Sequence, residues 1–532
     1  MGKREGGKMI TVEVIRNSTE FIAEEMGIVL RNTAYSPNIK DRLDFSCAIV
    51  SREGDLVAQA EHIPVHLGSL AVGAKNFVEC IEEFEDAIYV TNDPYVAGTH
   101  LNDVMLLKPV FYKELICFVV NKAHHVDVGG TTPGSMSMDA RDLYAEGLII
   151  PPTKLDDKVM EFIKANVRTS NFVGDLKAQI ASLKVGEKRI LELIDKFGVE
   201  TLLDSWREAM DYTERLTKAK IEKLGEFECE GVDYVEYEKP LNINVRVVSK
   251  GKIFVDFSGT HKQVKAPLNA VFGVTVASTS FALKAVLDPD LPMNHGFLRA
   301  IEIYAPEGTL VNPIKPAPVS AGNVETSQRI VDAIFKALAE IFEIPAASHG
   351  SMNNVIIGGE GWAFYETLGG GSGARPNGDG IDGIHVNMTN TMNTPVEVIE
   401  REYPIMVLEY SLREDSGGAG KFRGGLGIRR VYKLLSDATL SIIADRVKIA
   451  PWGLKGGKEG ERGEHYVLRN GNRIELSGKE TIELKAGDIV VVNTPGGGGY
   501  GDPKERDRSR ILEDLEDGKV SEEYVRRWFG EV

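Results

Sequence analysis

Cysteine is scarce in this chain. The 532 residues include four, Cys47, Cys80, Cys117 and Cys229, scattered widely and without a Cys-x-x-Cys pair. That excludes a disulfide framework and fits reduced thiols in a cytoplasmic protein. Long apolar runs are missing too: none approaches the ~18 residues of a membrane span. The amino terminus, MGKREGGKMITVEVIRN, has basic residues but no apolar core, so no export signal is expected, and Gly6 stands where N-myristoylation requires Ser or Thr. Positive charge is outweighed, with 62 Lys and Arg against 79 Asp and Glu and a net charge of -17. Such a balance argues against nucleic acid or an anionic membrane as the main partner and points to a small molecule or another protein. Glutamine occurs only four times beside abundant Lys and Glu, a bias of heat-adapted proteins. No Gly-x-x-x-x-Gly-Lys-[Ser/Thr] occurs, and the run Gly369-Gly370-Gly371-Ser372-Gly373 lacks the strand, loop and helix context of a dinucleotide site. If ATP is used, it has no recognised site here; the glycine run reads as tight turns or close backbone packing.

What is present concentrates between Asn92 and Gly130. Two His-x-x-Asp units, His100 with Asp103 and His124 with Asp127, flank two apolar runs joined by Tyr112-Lys113-Glu114-Leu115. This is a hairpin pattern. Centred between Lys113 and Glu114, it sets Asp103 opposite His124 and His100 opposite Asp127. Opposed residues on antiparallel strands have Cβ atoms roughly 4.5–5.5 Å apart, so both can reach one cation. Residues three apart on a regular strand point to opposite faces, so all four groups converge only if the hairpin mouth is bulged or turned, which Gly98, Gly129 and Gly130 would permit. The mixed nitrogen and oxygen set suits manganese, zinc or ferrous iron. The plainer alternative is that these His and Asp side chains simply pair with one another. Five of the ten histidines fall between residues 62 and 125. His62 and His66 are four apart, but Pro64 between them argues against a helical metal pair and favours pocket or structural hydrogen bonding.

The remaining pattern places a helix over Thr11 to Thr33, strands at FSCAIVS and LVAQA, and helices from Asn171 to about Glu226. The turn-rich, acidic stretch from Thr131 to Leu155 reads as a lid, a substrate contact or a solvated loop. Alternation from Val232 to Val255 reads as strands, followed by helices over Val271 to Leu287 and Arg329 to Phe342. Ser320, Asn323, Glu325, Ser327 and Gln328 gather ahead of the latter, as caps or as an anion site. From Tyr403 the chain is largely β. The charged helical tail after residue 503 carries an apolar face that must pack on this chain or on a partner. The expected fold is α+β and multidomain: an N-terminal α/β metal-bearing part at 1–226, a central mixed part at 227–402, a mainly β module at 403–503 and a helical tail at 504–532.

The segments NIKDRLDFSCAIVSREGDLVAQAEHIPVHLGSL, NDPYVAGTHLNDV, AHHVDVGGTTPGSM, EGLIIPP, GDLKAQI, VDFSGT, AGNVETSQR, REDSGGAGKFRGGLG and TPGGGGYGDP run in order from about residue 30 to 503. Together they resemble the hydantoinase B family, which includes the carboxy-terminal part of 5-oxoprolinase and a large subunit of acetone and acetophenone carboxylases. The resemblance implies a subunit of an ATP-dependent enzyme that opens a lactam or hydantoin, or carboxylates a ketone. A hydantoinase A type partner would bind ATP and phosphorylate the substrate, in a hetero-oligomer. It implies a manganese site, with ligands at His100, Asp103, His124 and Asp127 by motif match. His125, Asp41, Arg42, His62 and His66 are candidates for substrate contact or proton transfer. A scaffold that completes the A subunit's site and carries no metal, and an autonomous metallohydrolase, are the competing expectations.

Overall fold

In the computed structural model, residues 2–60 and 63–530 are described, with side chains from residue 10 onward. An antiparallel sheet of six strands organises the N-terminal part: β1 (Phe45–Ser51), β2 (Leu56–Gln59), β3 (Tyr89–Thr91), β4 (Asp103–Tyr112), β5 (Glu114–His124) and β6 (Thr153–Lys154), in the order β2-β1-β5-β4-β3-β6. Both faces of this sheet are covered. Every residue of β1 is buried, and the near-continuous apolar sequence of β4 and β5 follows from burial on two sides. One face packs on the helices Gly2–Thr33 and Asn171–Phe197; the other packs on the helix Ser69–Glu79. In the first helix the residues turned inward are Ile15, Ile22, Met26 and Leu30, while Val14 and Phe21 stay exposed.

β4 and β5 form the expected hairpin, with Asp103 opposite His124. A register shift between Val110 and Phe111 leaves Lys113 alone at the turn, where it takes a φ of 65°. The ladder stops at Asp103 and His124, so His100 and Asp127 lie outside it. The helical stretch after Asn171 divides at Gly198 into two helices, Asn171–Phe197 and Val199–Leu224.

A second sheet, β7 (Phe227–Val235), β8 (Leu241–Ser249), β9 (Ile253–Asp256) and β10 (Ile301–Tyr304), packs against the helix Ser327–Leu338. Its core is continuous with that of the first sheet, so the N-terminal and central parts share one apolar interior. β11 (Asn354–Gly359) and β12 (Trp362–Thr367) join β15 (Ala438–Ile443) and β18 (Lys479–Leu484), so this sheet crosses the boundary expected after residue 402. β13 (Ile405–Leu412), β14 (Ile428–Leu434), β16 (Glu464–Arg469), β17 (Asn472–Leu476) and β19 (Ile489–Asn493) make the fourth sheet.

The glycine-rich segments are neither helix nor strand. They lie side by side and bond through their backbones: Ser372 N–H donates to Ile381 O (3.0 Å), Gly425 to Ser372 (2.8 Å), Gly497 to Gly425 (2.9 Å), Gly418 to Gly497 (2.8 Å) and Gly499 to Lys458 (2.8 Å). A Cβ on Gly371, Gly424, Gly497 or Gly498 would overlap the neighbouring segment's carbonyl oxygen. Close backbone packing is therefore the reason for the glycines here. The C-terminal helices Arg508–Glu516 and Glu522–Trp528 bury Ile511, Val520, Tyr524 and Val525 against Ala419 of this lattice, so the tail's apolar face is covered by its own chain. Among the described residues no helix is long and apolar enough to cross a membrane.

Candidate metal centre

At the open end of the β4–β5 hairpin three ligand-type atoms converge. His100 Nε2 lies 3.2 Å from Asp103 Oδ1 and 3.2 Å from His124 Nδ1, and His124 Nδ1 lies 3.3 Å from Asp103 Oδ1. All three side chains are buried. Each is placed by a local reason. Asp103 and His124 are the last ladder pair, so their side chains share a face at the strand ends. His100 reaches them from the turn before β4, where Gly98 takes a φ of 86°.

The triangle fits a divalent transition ion. Donors about 2.0–2.1 Å from one ion stand roughly 3.0–3.4 Å apart, and two imidazoles with one carboxylate on one side leave the other positions open. The outer hydrogen bonds agree. His100 Nδ1 faces the carbonyl of Ser320 at 3.2 Å, so Nδ1 carries the proton and the Nε2 lone pair points into the triangle. Ser320 is itself held by Glu146, whose Oε1 accepts the amides of Val319 (2.9 Å) and Ser320 (2.8 Å). The ring of His124 stacks on Tyr365, centroids 4.6 Å apart and planes at 19°.

The charges are coupled. Burial opposes ionisation of Asp103, yet His100, His124 and His66 around it hold its carboxyl well below the usual range. Burial likewise disfavours a charged His100, but Asp103 outweighs it and pushes the imidazole pKa up. The two shifts describe one pair: a proton on His100 balances Asp103, and that proton occupies the same lone pair a dication would use. Burial raises the Glu146 carboxyl to about 7 and lowers the Lys122 ammonium to about 8.

A small cavity of about 20 Å³ lies against the triangle, room for a water or an ion. Its polar lining is Asp44, His66, Asp103, His124, Asn323, Tyr365, Thr367, Thr389 and Thr391, with Ile63, Val65, Val324 and Met352 as apolar lining. Asp44 Oδ2 lies 4.0 Å from His124 Nδ1. His66 joins the group through Asp103 Oδ2 (3.3 Å) and Ser46 Oγ (2.9 Å), and burial lowers its pKa despite Asp103.

Of the four expected ligands the structure brings together three, and the set is corrected at Asp127. Its Oδ1 accepts the amides of Gly129 (2.9 Å) and Arg168 (3.1 Å); its Oδ2 accepts Gly134 N–H (2.9 Å) and the Arg168 guanidinium (3.1 Å). With both oxygens bound to the loop, Asp127 shapes the chain after β5 and does not reach the triangle. His125 is also displaced from the expected role: on the opposite side of the strand end, its Nε2 meets Gln179 Oε1 at 2.8 Å and its ring packs on Phe172. Asp41 follows the short helix Pro37–Lys40, half-buried and outside the cavity lining. Arg42 stands behind the cavity wall, bonded to Thr367 and Thr391. His62 lies outside the described residues.

Sequence reading gave no role to Asp44, Glu146, Tyr365, Thr367, Thr389 or Thr391. Asn323 was visible only as part of a polar group ahead of a helix; it sits on a π-helical turn, Gly322–Thr326, a distortion frequent at functional sites.

Comparison with known proteins identifies the family. The family model described as Hydantoinase B/oxoprolinase matches residues 8–503. An uncharacterised protein of Methanocaldococcus jannaschii is 65% identical, over 96% of this chain and 94% of that one. A protein named for the B subunit of a D-/L-hydantoinase in Pseudomonas sp. (strain NS671) is 35% identical over 97% and 93%. 5-oxoprolinase 1 of Arabidopsis thaliana is also 35% identical, over 90% of this chain, but the match spans only 41% of that longer protein. Among solved structures, the ATP-dependent caprolactamase from Pseudomonas jessenii superposes with a TM-score of 0.93 at 29% identity, covering 98% of this chain and 96% of that one. An acetone carboxylase, at a TM-score of 0.87 and 19% identity over 98% of this chain and 79% of that one, shares the fold.

Proposed function

Because the chain belongs to the hydantoinase B/oxoprolinase family, we propose that it is the B-type subunit of an ATP-dependent cyclic amidase. It acts on a small lactam or hydantoin that an A-type partner has phosphorylated at the expense of ATP. The observation that carries the reading is the triangle of His100, Asp103 and His124, three buried donors within 3.3 Å of one another beside a cavity. Relatives named for 5-oxoprolinase, hydantoinase and caprolactamase activities favour a cyclic amide as substrate, and the lack of a phosphate loop favours ATP use by a partner.

His100, Asp103 and His124 would hold the ion, manganese before zinc or iron. Bound there, such an ion supplies Lewis acidity and a water of lowered pKa. The chain's own residues supply the rest. Ser320 and Tyr365 fix the two imidazole rings. His66, kept neutral by burial and held between Ser46 and Asp103, is placed to take a proton. Ile63, Val65 and Met352 keep bulk water from the reacting group. A groove of about 240 Å³ shares Ile63 with the cavity and is lined by Pro64, Leu67, Phe281 and Ala285, a fitting place for the methylenes of a small ring.

The test is ring opening of 5-oxoproline, hydantoin and caprolactam by the chain together with an A-type subunit, ATP and manganese, before and after chelation. The reading expects turnover only when chain, partner, ATP and metal are all present. Undiminished turnover by the metal-stripped chain, or turnover without ATP, would sink it.

A further inference from the structure

Behind the cavity that adjoins the triangle stands a positive charge that makes no ion pair among the described residues. Arg42 is fully buried. Its two terminal nitrogens donate to Asn38 Oδ1 (2.6 Å), Tyr365 O (3.2 Å), Thr367 Oγ1 (2.7 Å) and Thr391 Oγ1 (3.3 Å), all uncharged, its Nε meets no acceptor, and the guanidinium lies 4.7 Å from the Tyr365 ring centre. Among the described residues no carboxylate forms an ion pair with it. The other three arginines buried to the same degree each face one: Arg329 has Asp332 at 2.6 Å, Arg446 has Asp332 at 2.9 Å and Arg430 has Glu366 at 3.5 Å. Buried charges in proteins are matched because an isolated one is costly. Arg42 departs from what those three arginines show, and it does so directly behind a cavity.

The hydrogen bonds show which way that charge is delivered. A guanidinium only donates, so Thr367 and Thr391 must accept from it. Thr367 passes its own proton to Asn354 Oδ1 (3.1 Å). The Thr391 proton meets no protein acceptor among the described residues, and Thr391 lines the cavity. Asn323, 4% exposed, also lines the cavity with its side-chain Oδ1 unpartnered; a flip of the amide would put N–H donors in its place.

We propose that this wall is an oxyanion site, in which Thr391 O–H and the Asn323 amide bind one oxygen of a phosphate or carboxylate group, the size of a bound water that the cavity admits, and Arg42 behind them supplies the matching charge. The site deepens the cyclic-amidase reading and rests on it for the metal held by Asp103 and His124 of the same cavity. A phosphorylated substrate and a carboxylate-bearing one share this chemistry, so both are tested. Lys122 adds to the field: it is fully buried, bonded to Ala97 O (2.8 Å) and Thr99 Oγ1 (3.4 Å), and makes no ion pair among the described residues, the charge acting on it being that of Asp103. The role given to Arg42 differs from substrate contact, since Thr367 and Thr391 stand between it and the cavity; it is a positioning residue.

The experiment is calorimetric titration of the full-length chain, loaded with manganese and also metal-free, with inorganic phosphate and separately with acetate, alongside Thr391→Val and Thr391→Ser. Manganese content is measured on the same samples. The expected result is anion binding by the wild type, weakened about tenfold or more in Thr391→Val, the effect of one hydrogen bond to a charged group, and restored in Thr391→Ser. Tighter binding of phosphate would assign the site to a phosphoryl group, and tighter acetate to a carboxylate. Failure of the wild type to bind either anion, or equal binding by Thr391→Val, would overturn the oxyanion site. Absence of manganese in every sample would overturn the metal reading alone, because the metal-free titration still judges the wall.

Discussion

Replacing His124 by Ala tests the triangle at the corner where the loss is most readily calculated. The imidazole is 2% exposed, supplies one of three converging donors and stacks on Tyr365 at 4.6 Å. Structural zinc sites with four protein ligands bind with roughly 10–16 kcal/mol, or about 3–4 kcal/mol per ligand. Losing one should therefore weaken the metal by about two to three decades. The scaffold should survive: the residue ends a strand whose other positions are packed on both faces, and a buried truncation of this size costs about 2–5 kcal/mol in a chain with a large core. Competition against a chromophoric chelator, with manganese and with zinc, measures the affinity; circular dichroism confirms the fold. Affinity within a few-fold of wild type in a folded His124→Ala protein would refute the triangle as a metal centre.

His125→Gln should leave metal stoichiometry unchanged, because His125 spends its Nε2 on Gln179 and packs on Phe172, away from the triangle; metal analysis of the purified variant checks this. The Glu146 carboxyl is raised to about 7 by burial, from an ordinary value of 4.5. A raised folded pKa gives stability that is fully present below pH 4.5 and lost as pH rises to about 7, a difference on the order of 3 kcal/mol. Glu146→Gln should therefore flatten the pH dependence of denaturant stability between about pH 4.5 and 7, and an unchanged slope would contradict the buried protonated form. Gly373→Ala should yield insoluble or strongly destabilised protein, since its Cβ would overlap the carbonyl of Ala346; soluble expression and a melting curve decide it.

The parts of the site that were legible in the sequence are local. The register of Asp103 against His124 follows from the apolar runs and a short turn, and a hairpin leaves little freedom in how its strands pair. Asp127 was misplaced for a reason outside that hairpin. The positive-φ glycines Gly129, Gly130 and Gly134 fold the next loop back, and Arg168, far along the chain, takes the carboxylate. Asp44, Tyr365, Thr389 and Thr391 come from the loop before β1, from β12 and from a long irregular segment. No periodicity links such pieces, and only the tertiary fold brings them to one cavity. The sheet that crosses residue 402 was hidden in the same way, because β11 and β15 pair across three intervening strands, β12, β13 and β14, and glycine segments.

The glycine lattice has a consequence for how the protein is made. Its bonds join residues near 372, 381, 425, 458 and 497, so each segment leans on others that leave the ribosome much later. Until residues 495–501 have emerged, the backbone groups of the earlier segments have no lattice to enter, and glycine gives them no side chains with which to collapse in the meantime. The C-terminal half should therefore stay open through most of translation and close in one late step, and a chain halted just short of Thr494 should be a substrate for chaperones.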